Sequence, residues 1–316
     1  MSQTEPESRV TRRRALAVGG SVAGGLLVAR APLAMAGVEG KDGSLPVKRI
    51  EQIVEAEGTV SNGVLSIDIS RDDIGDVRGP RGVVFTPAFE VDGTLTFQPL
   101  SGGRAFFNGD LALRPRETNR VSDAIVANGL IVQAFHQHYD QMHPQIWFIH
   151  LRGIGDPIRL AQAIRKVLAA TSTPLPQTMP AHPTTPLDAD RLARILHGDA
   201  EVGEEGVVTV TVPCEDRIVI DGVHVSPEAN ISTEVMFTPL DSSGSRADVA
   251  PDFSMTSEEV QRVVALMRRN GFHVGCLYNQ ETNEHPQLFF SHMVDVGDPY
   301  RLARRIRRAL DLTDSA

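Results

Sequence analysis

The sequence predicts an α+β protein that consists of two tandem copies of one domain, each a mostly antiparallel sheet with helices packed on one face. Two segments recur along the chain. Residues 143–150 (His-Pro-Gln-Ile-Trp-Phe-Ile-His) reappear at 285–292 as His-Pro-Gln-Leu-Phe-Phe-Ser-His, and the Gly-Asp-Pro segment at 155 reappears at 297. Both repeats occur at an offset of 142 residues. The chain is therefore a tandem duplication, and its copies can be compared position by position.

The recurring patterns divide the chain into four parts. We expect a leader over residues 1–36, a first domain over 45–171 and a second domain over 187–313. The segment 172–186 between the domains contains five prolines. This composition predicts an extended, semi-rigid spacer rather than a loop within one domain.

Each copy predicts the element order α-β-β-β-β-α-β-β-α. Apolar residues at helical spacing predict a first helix that stops at Gly58 or Gly198. Period-two alternation predicts the strands that follow. In the first copy they span 64–69, 83–89, 94–99 and 104–113.

Sequence signals at helix ends place the other two helices of each copy. The second helix is predicted over 117–128 and 257–270, and both segments end at Asn-Gly, a common helix stop. Two strands follow in the first copy, over 130–138 and 145–151. Asp-Pro then opens the last helix of each copy, because Asp caps a helix well and Pro fits its first turn.

The N-terminal segment predicts export. Three consecutive arginines, 12 to 14, precede an apolar run, and Ala34-Met-Ala36 offers small residues for a signal peptidase. The arginine pair is typical of the twin-arginine route. The alternative is an uncleaved signal-anchor, although four glycines and Arg30 make a poor membrane span. We therefore expect a cleaved leader, no later membrane span, and a secreted, periplasmic or envelope-associated protein.

The charge balance excludes a large class of partners. The chain has 31 basic and 40 acidic residues, a net charge of −9, and loss of the leader raises the acidic excess to 12. A nucleic-acid binder needs basic residues to neutralise phosphates, so nucleic acid is not an expected partner. The two cysteines, Cys214 and Cys276, predict one disulfide in an exported protein, with two buried thiols as the alternative.

A group of histidines is the main functional clue. His136 and His138 are two apart on a predicted strand, so they share a face of it. His150 lies on the returning antiparallel strand and joins that face if the pairing register is even. Three converging imidazoles suit a divalent transition metal such as Zn, Cu, Ni or Fe. Asp110 or Glu117 could complete the site or act as a base.

Other interpretations of these residues remain open. The histidines can be hydrogen-bonded structural residues or can lie on a solvated face. Asp140 in the hairpin loop is a further carboxylate within the segment. His143 and His285 precede proline in a turn and are expected to be structural. No nucleophile elbow, phosphate-binding loop, dinucleotide fingerprint or zincin motif occurs in the sequence.

Over nearly all of both copies, the chain resembles the LppY/LpqO-like family of exported bacterial proteins, and the first copy carries its histidine motif. That family shows the pattern Ala-Leu-His-Asn-His, then Pro-x-x-x-Phe-x-His, which matches residues 134–138 and 144–150. Its upstream Gly-Asp and Glu-x-Asn segments match 109–111 and 117–119, and its Thr-x-Thr-Pro matches 171–174. The resemblance implies a duplicated exported domain whose function is not established.

Departures from the family pattern limit what the resemblance implies. Gln137 replaces the family asparagine, and the second copy has Tyr278 and Gln280 in place of the two histidines. The second copy is therefore expected to lack the full site. The lipoprotein cysteine of the named members is absent, so lipid anchoring is not implied.

The sequence supports three hypotheses about function. In the first, the protein binds a metal ion or a small ligand through the histidines of the first copy, without turnover. In the second, the same histidines hold the metal of a hydrolase or lyase, with Glu117 or Asp110 as base. In the third, the protein is an envelope interaction module and its histidines are incidental.

Overall fold

The computed structural model describes residues 44–177, 183–215 and 217–313. The predicted leader, 1–36, and part of the proline-rich segment lie outside the described residues. The described elements of the first repeat are α1 (Val47–Val54), β1 (Thr59–Ser61), β2 (Val64–Asp68), β3 (Val77–Arg78), β4 (Val84–Phe85), β5 (Thr94–Leu100), β6 (Arg104–Leu113), α2 (Thr118–Ala127), β7 (Ile131–His136), β8 (Trp147–Gly155) and α3 (Pro157–Leu168).

The second repeat follows the same plan. Its described elements are α4 (Ala189–Leu196), β9 (Asp199–Val202), β10 (Val208–Val212), β11 (Val219–Ile220), β12 (Val223–His224), β13 (Thr233–Pro239), β14 (Ala247–Thr256), α5 (Ser257–Arg269), β15 (His273–Val274), β16 (Glu284–His285), β17 (Leu288–Gly297) and α6 (Pro299–Leu310).

Both repeats build a six-stranded antiparallel sheet with the same strand order. The first sheet runs β1-β2-β5-β6-β8-β7, and the second runs β9-β10-β13-β14-β17-β15. Each strand of the first sheet thus has a counterpart at the same place in the second. The predicted α+β duplication is confirmed.

Alternation along the strands gives each sheet an apolar face that packs on its helices. In the first repeat, Leu65, Phe97 and Ile149 belong to one buried cluster with residues of α1, α2 and α3. In the second, Val210 and Phe237 occupy the same place beneath α4, α5 and α6. The intervening residues face the other way, as the pleat of a strand requires.

The opposite faces of the two sheets meet, and the two repeats form one compact unit. A third apolar cluster joins Phe85 and Phe148 of the first repeat to Ala250 and Val294 of the second. The described start of the predicted spacer contacts the first repeat. In its described part, Gln177 donates from its backbone to Glu55 and from its side chain to Ser70.

The helix ends were predicted with mixed success. Asp156 and Asp298 cap α3 and α6 by accepting a backbone N–H three residues on. The Asn-Gly stops after α2 and α5 are also confirmed. The first helices, however, end earlier than predicted, where Glu55 and His197 adopt left-handed conformations.

Gly198 is needed for a different reason from helix termination. A Cβ at this position would overlap the carbonyl oxygen of Thr211 in β10. Gly198→Ala is therefore expected to lower the free energy of unfolding by about 1–3 kcal/mol, the usual cost of overpacking. Chemical denaturation measures this. Gly155→Ala is the control, since no atom lies within 4 Å of that site, and equal effects at both would contradict the explanation.

One predicted strand was wrong. Only Val84–Phe85 of the segment 83–89 forms a strand, and it pairs with β3 outside the main sheet. Its alternating apolar residues instead fill the space between the sheets, where Phe85 and Phe89 are buried. Burial in a packed loop produced the same pattern as a strand.

Candidate metal centre

A cavity of about 490 Å³ lies between the polar faces of the two sheets. It is lined by side chains that alternate with the apolar core residues of each strand. From the first sheet come Ser66, Asp68, Thr94, Asp110 and His150, and from the second come Thr209, Glu234, Met236, Asp252 and His292. The cavity therefore belongs to both repeats.

The three predicted histidines come together, and two of them, His138 and His150, line this cavity. His136 of β7 pairs with Phe148 of β8, two residues before His150, so the predicted even register is confirmed. The Nε2 atoms of His136 and His150 are 2.9 Å apart. His138 lies just beyond the end of β7, and one ring nitrogen of each histidine lies within 4.8 Å of the others.

Glu90 orients His138, one of the two buried histidines of this group. His138 is 6% exposed, and its Nδ1 lies 3.0 Å from Oε2 of Glu90. Its Nε2 is buried and has no hydrogen-bond partner among the described residues. A carboxylate on one imidazole nitrogen leaves the other directed at a metal, which is the usual support for a histidine ligand.

Glu90 is held in place by the loop before β5. The residue is 5% exposed and has a left-handed backbone with φ 72°. Burial raises the pKa of Glu90 to about 8, against a hydrogen bond from Tyr139. A bound cation nearby would favour its ionised form.

The second repeat supplies a fourth histidine. His292 occupies the position equivalent to His150, and its ring stacks on His138 with centroids 3.5 Å apart. Its Nε2 lies 3.6 Å from Oδ2 of Asp252 and 3.9 Å from Oε2 of Glu90. Glu90, His138 and His292 thus form a second group of ligand atoms within 4.8 Å of one another.

The substitutions in the second repeat also lie at this centre. Tyr278, equivalent to His136, stacks on it with ring centroids 3.5 Å apart. Gln280, equivalent to His138, donates its amide to the backbone oxygen of Asn230 at 2.6 Å. Neither group has the imidazole nitrogen that the first repeat provides at these positions.

Of the predicted carboxylates, Asp110 lies at the cavity. It is the β6 partner of His150, so both side chains lie on the same face. Its Oδ1 accepts the Thr94 backbone N–H at 3.1 Å and the Asn230 amide at 3.4 Å. Burial raises the pKa of Asp110 to about 7.

Glu117 and Asp140 lie outside the cavity lining. Glu117 is fully buried and forms a 2.9 Å ion pair with Arg71, while it also accepts the backbone N–H groups of Arg114 and Ser172. These contacts tie the start of α2 to neighbouring loops. The suggested role of Glu117 as a base is therefore replaced by a structural one. Asp140 is exposed and pairs with His273 at 2.8 Å.

The imidazoles of the centre are held in their neutral forms. Burial lowers the pKa of His136 to about 4. The pKa values of His138, His150 and His292 are lowered well below the usual value, first by burial and then by the neighbouring histidines. A neutral imidazole is the form that binds a metal ion.

The predicted disulfide is wrong, because Cys214 and Cys276 form no disulfide. Cys214 is buried in an apolar cluster with Phe106 and Ile218. Cys276 lies beside the histidine group, with its Sγ 3.4 Å from Nδ1 of His292. An even number of cysteines therefore did not indicate a disulfide here, because the two thiols lie in separate parts of the structure.

His292, Asp252 and Glu90 were missed as site residues. The duplication offset identifies His292 with His150 and Asp252 with Asp110, so the signal was present in the sequence. The missing information was the contact between the repeats. Glu90 gave no signal, because its role depends on a loop that crosses to the other sheet.

Comparison with known proteins identifies the repeated unit. No described helix is long and apolar enough to cross a membrane. No curated protein matches the chain. A family model described as Domain of Unknown Function (DUF1259) matches twice, over residues 48–170 and 190–312. These matches cover most of the chain and coincide with the two sheets, so the protein belongs to the DUF1259 family.

Proposed function

We propose that the protein binds a divalent transition metal through His136, His138 and His150, with Glu90 as the carboxylate that orients His138. One observation carries the proposal. The buried Nε2 of His138 has no partner among the described residues, although its Nδ1 is fixed by Glu90. A buried polar atom without a partner is costly, and a metal ion would satisfy it.

The chemistry of the surrounding groups agrees with this function. Imidazole suits Zn, Cu, Fe and Ni, and neutral imidazoles bind without first losing a proton. Among the described residues, no lysine or arginine lines the cavity, whereas several carboxylates do. The cavity is therefore suited to positive charge.

A metal-dependent hydrolase or lyase is the second candidate function. A catalytic metal needs an open coordination position and a nearby base. The 490 Å³ cavity provides space beside the histidines, and Asp110 is a carboxylate on the same strand face as His150. In this role Asp110 would take a proton from a metal-bound water or from a substrate.

The experiment is elemental analysis of the purified mature protein, followed by titration of the metal-free form with Zn²⁺, Ni²⁺, Co²⁺ and Cu²⁺. Wild-type protein is expected to bind metal. His136→Ala and His150→Ala are expected to weaken binding by about tenfold or more. His224→Ala is the control, because His224 is exposed outside the cavity lining.

The outcome also separates the candidate functions. Binding without turnover of model esters or amides supports a binding protein, whereas metal-dependent turnover that Asp110→Asn abolishes supports a hydrolase. If wild-type protein binds none of the four ions, the metal proposal fails. An envelope interaction module then becomes the better explanation.

We further propose that the protein is exported by the twin-arginine route and belongs with the LppY/LpqO-like proteins. The arginines 12 to 14, the apolar run and Ala34-Met-Ala36 support export, and the motif at 134–138 supports the grouping. N-terminal sequencing of secreted protein is expected to begin near Gly37. An exported form that still starts at Met1 would contradict cleavage.

A further inference from the structure

We propose that Glu90, His292 and Asp252 hold a second divalent cation beside the three-histidine centre. The proposal deepens the proposed function, because it makes that centre one half of a two-ion site shared by both repeats. The occupant is a cation that accepts mixed oxygen and nitrogen ligands, such as Zn²⁺, Mn²⁺ or Fe²⁺.

The positions of the ligand atoms support a second site. The Nε2 of His292 faces two carboxylates, Asp252 Oδ2 at 3.6 Å and Glu90 Oε2 at 3.9 Å. These separations are longer than hydrogen bonds and leave the imidazole nitrogen without a close partner there. Oδ1 of Asp252 is also buried without a partner among the described residues. One cation bound by His292 Nε2, Glu90 Oε2 and the Asp252 carboxylate would give each of these three groups a partner.

The second site does not compete with the first for ligands. His138 offers Nε2 to the first ion, while its Nδ1 lies on Oε2 of Glu90. The same Oε2 of Glu90 lies 3.9 Å from Nε2 of His292, so Glu90 faces the second ion without giving up a ligand of the first. Glu90 therefore has two roles: it orients His138 for the first ion, and it is itself a ligand of the second ion.

The charge of the cavity favours two ions over one. Among the described residues, nine carboxyl groups line it: Glu57, Asp68, Glu90, Asp92, Asp110, Glu201, Glu204, Glu234 and Asp252. A single divalent ion balances two of these groups. A second ion next to Glu90 and Asp252 would balance two more.

Strand pairing in the second repeat, together with a contact to Cys276, positions the ligands Asp252 and His292. The Cα atoms of Asp252 and His292 are partners on β14 and β17, so their side chains are neighbours on one face. Nδ1 of His292 is directed at Cys276 Sγ, 3.4 Å away. This contact leaves Nε2 as the nitrogen that faces the cavity.

The test is the number of ions bound per mature chain, measured by elemental analysis after saturation with Zn²⁺ or Mn²⁺ and removal of excess metal. Two ions are expected for the wild type. Asp252→Asn is expected to keep one ion, and His150→Ala is expected to keep the other. Asp190→Asn, an exposed control on α4, is expected to keep both.

The results distinguish failure of this proposal from failure of the proposed function. One ion in the wild type overturns the second site, and this measurement does not depend on a variant that folds poorly. Loss of both ions in either single variant indicates one composite centre and also overturns it. If Asp252→Asn loses an ion and His150→Ala loses none, the second site stands and the three-histidine site fails.

Discussion

Glu117→Gln is expected to lower the free energy of unfolding by about 3 kcal/mol, at the lower end of the cost of breaking a buried ion pair. The side chains of Glu117 and Arg71 are both almost wholly buried. Arg71 also donates to Asp73 and to the backbone oxygen of Ala112. Loss of the glutamate charge would leave the buried guanidinium with weaker compensation.

Thermal and chemical denaturation would measure this effect. The control is Glu55→Gln, because the Glu55–Arg165 pair is partly exposed, and such pairs contribute about 1 kcal/mol or less. Glu117→Gln is expected to bind metal normally below its unfolding temperature. If Glu117→Gln were as stable as the wild type but lost metal or activity, Glu117 would instead act at the site, as the sequence suggested.

The same ion pair makes the stability depend on pH. Burial opposes ionisation of Glu117, but the N–H of Arg114 and the charge of Arg71 outweigh it and lower the pKa. The stabilisation is complete above the unfolded glutamate pKa of about 4.3, and is lost as the pH falls through the lower folded value. The difference between wild type and Glu117→Gln is therefore expected to shrink under acid conditions. A constant difference down to about pH 3 would contradict this.

His138→Ala is expected to weaken metal binding by at least tenfold while the fold is kept. The imidazole supplies the buried, unpartnered Nε2, and its Nδ1 is the contact through which Glu90 acts on the centre. Isothermal titration with Zn²⁺, together with circular dichroism to verify folding, measures the change.

The second repeat provides a matched control for this variant. Gln280 occupies the position equivalent to His138 and also lines the cavity. Gln280→Ala removes a hydrogen bond to the Asn230 backbone but no imidazole. It is expected to bind Zn²⁺ within about threefold of the wild type. Equal losses in both variants would mean that the cavity shape, and not the imidazole, determines binding.

Periodicity and duplication predicted the parts of the fold that depend on local pattern. The β6 strand was predicted over its observed range, because its alternation reflects one apolar and one polar face. The Asp-Pro helix starts depend on a cap three residues away and were equally predictable. The segment 83–89 was not, since its apolar residues are buried by contacts with the other repeat.

The candidate site likewise combines features set by local sequence pattern with features set by contacts between the repeats. His136 and His150 could be placed together from the strand period and an assumed register, which the structure confirms. The roles of Glu90 and His292 depend on contacts between sheets that are far apart in sequence. Local spacing contains no information about such contacts, so the composite nature of the site could only emerge from the packed structure.

Equivalent residues contact each other where the repeats meet, as His136 and Tyr278 do when they stack. This is the arrangement of an isologous dimer interface, here enclosed within one chain. In a dimer of identical subunits, any change at that position appears on both sides at once. A covalently joined pair escapes this constraint. One half can keep its imidazoles while the other acquires a phenol and an amide, so the protein can build an asymmetric centre on a nearly symmetric scaffold.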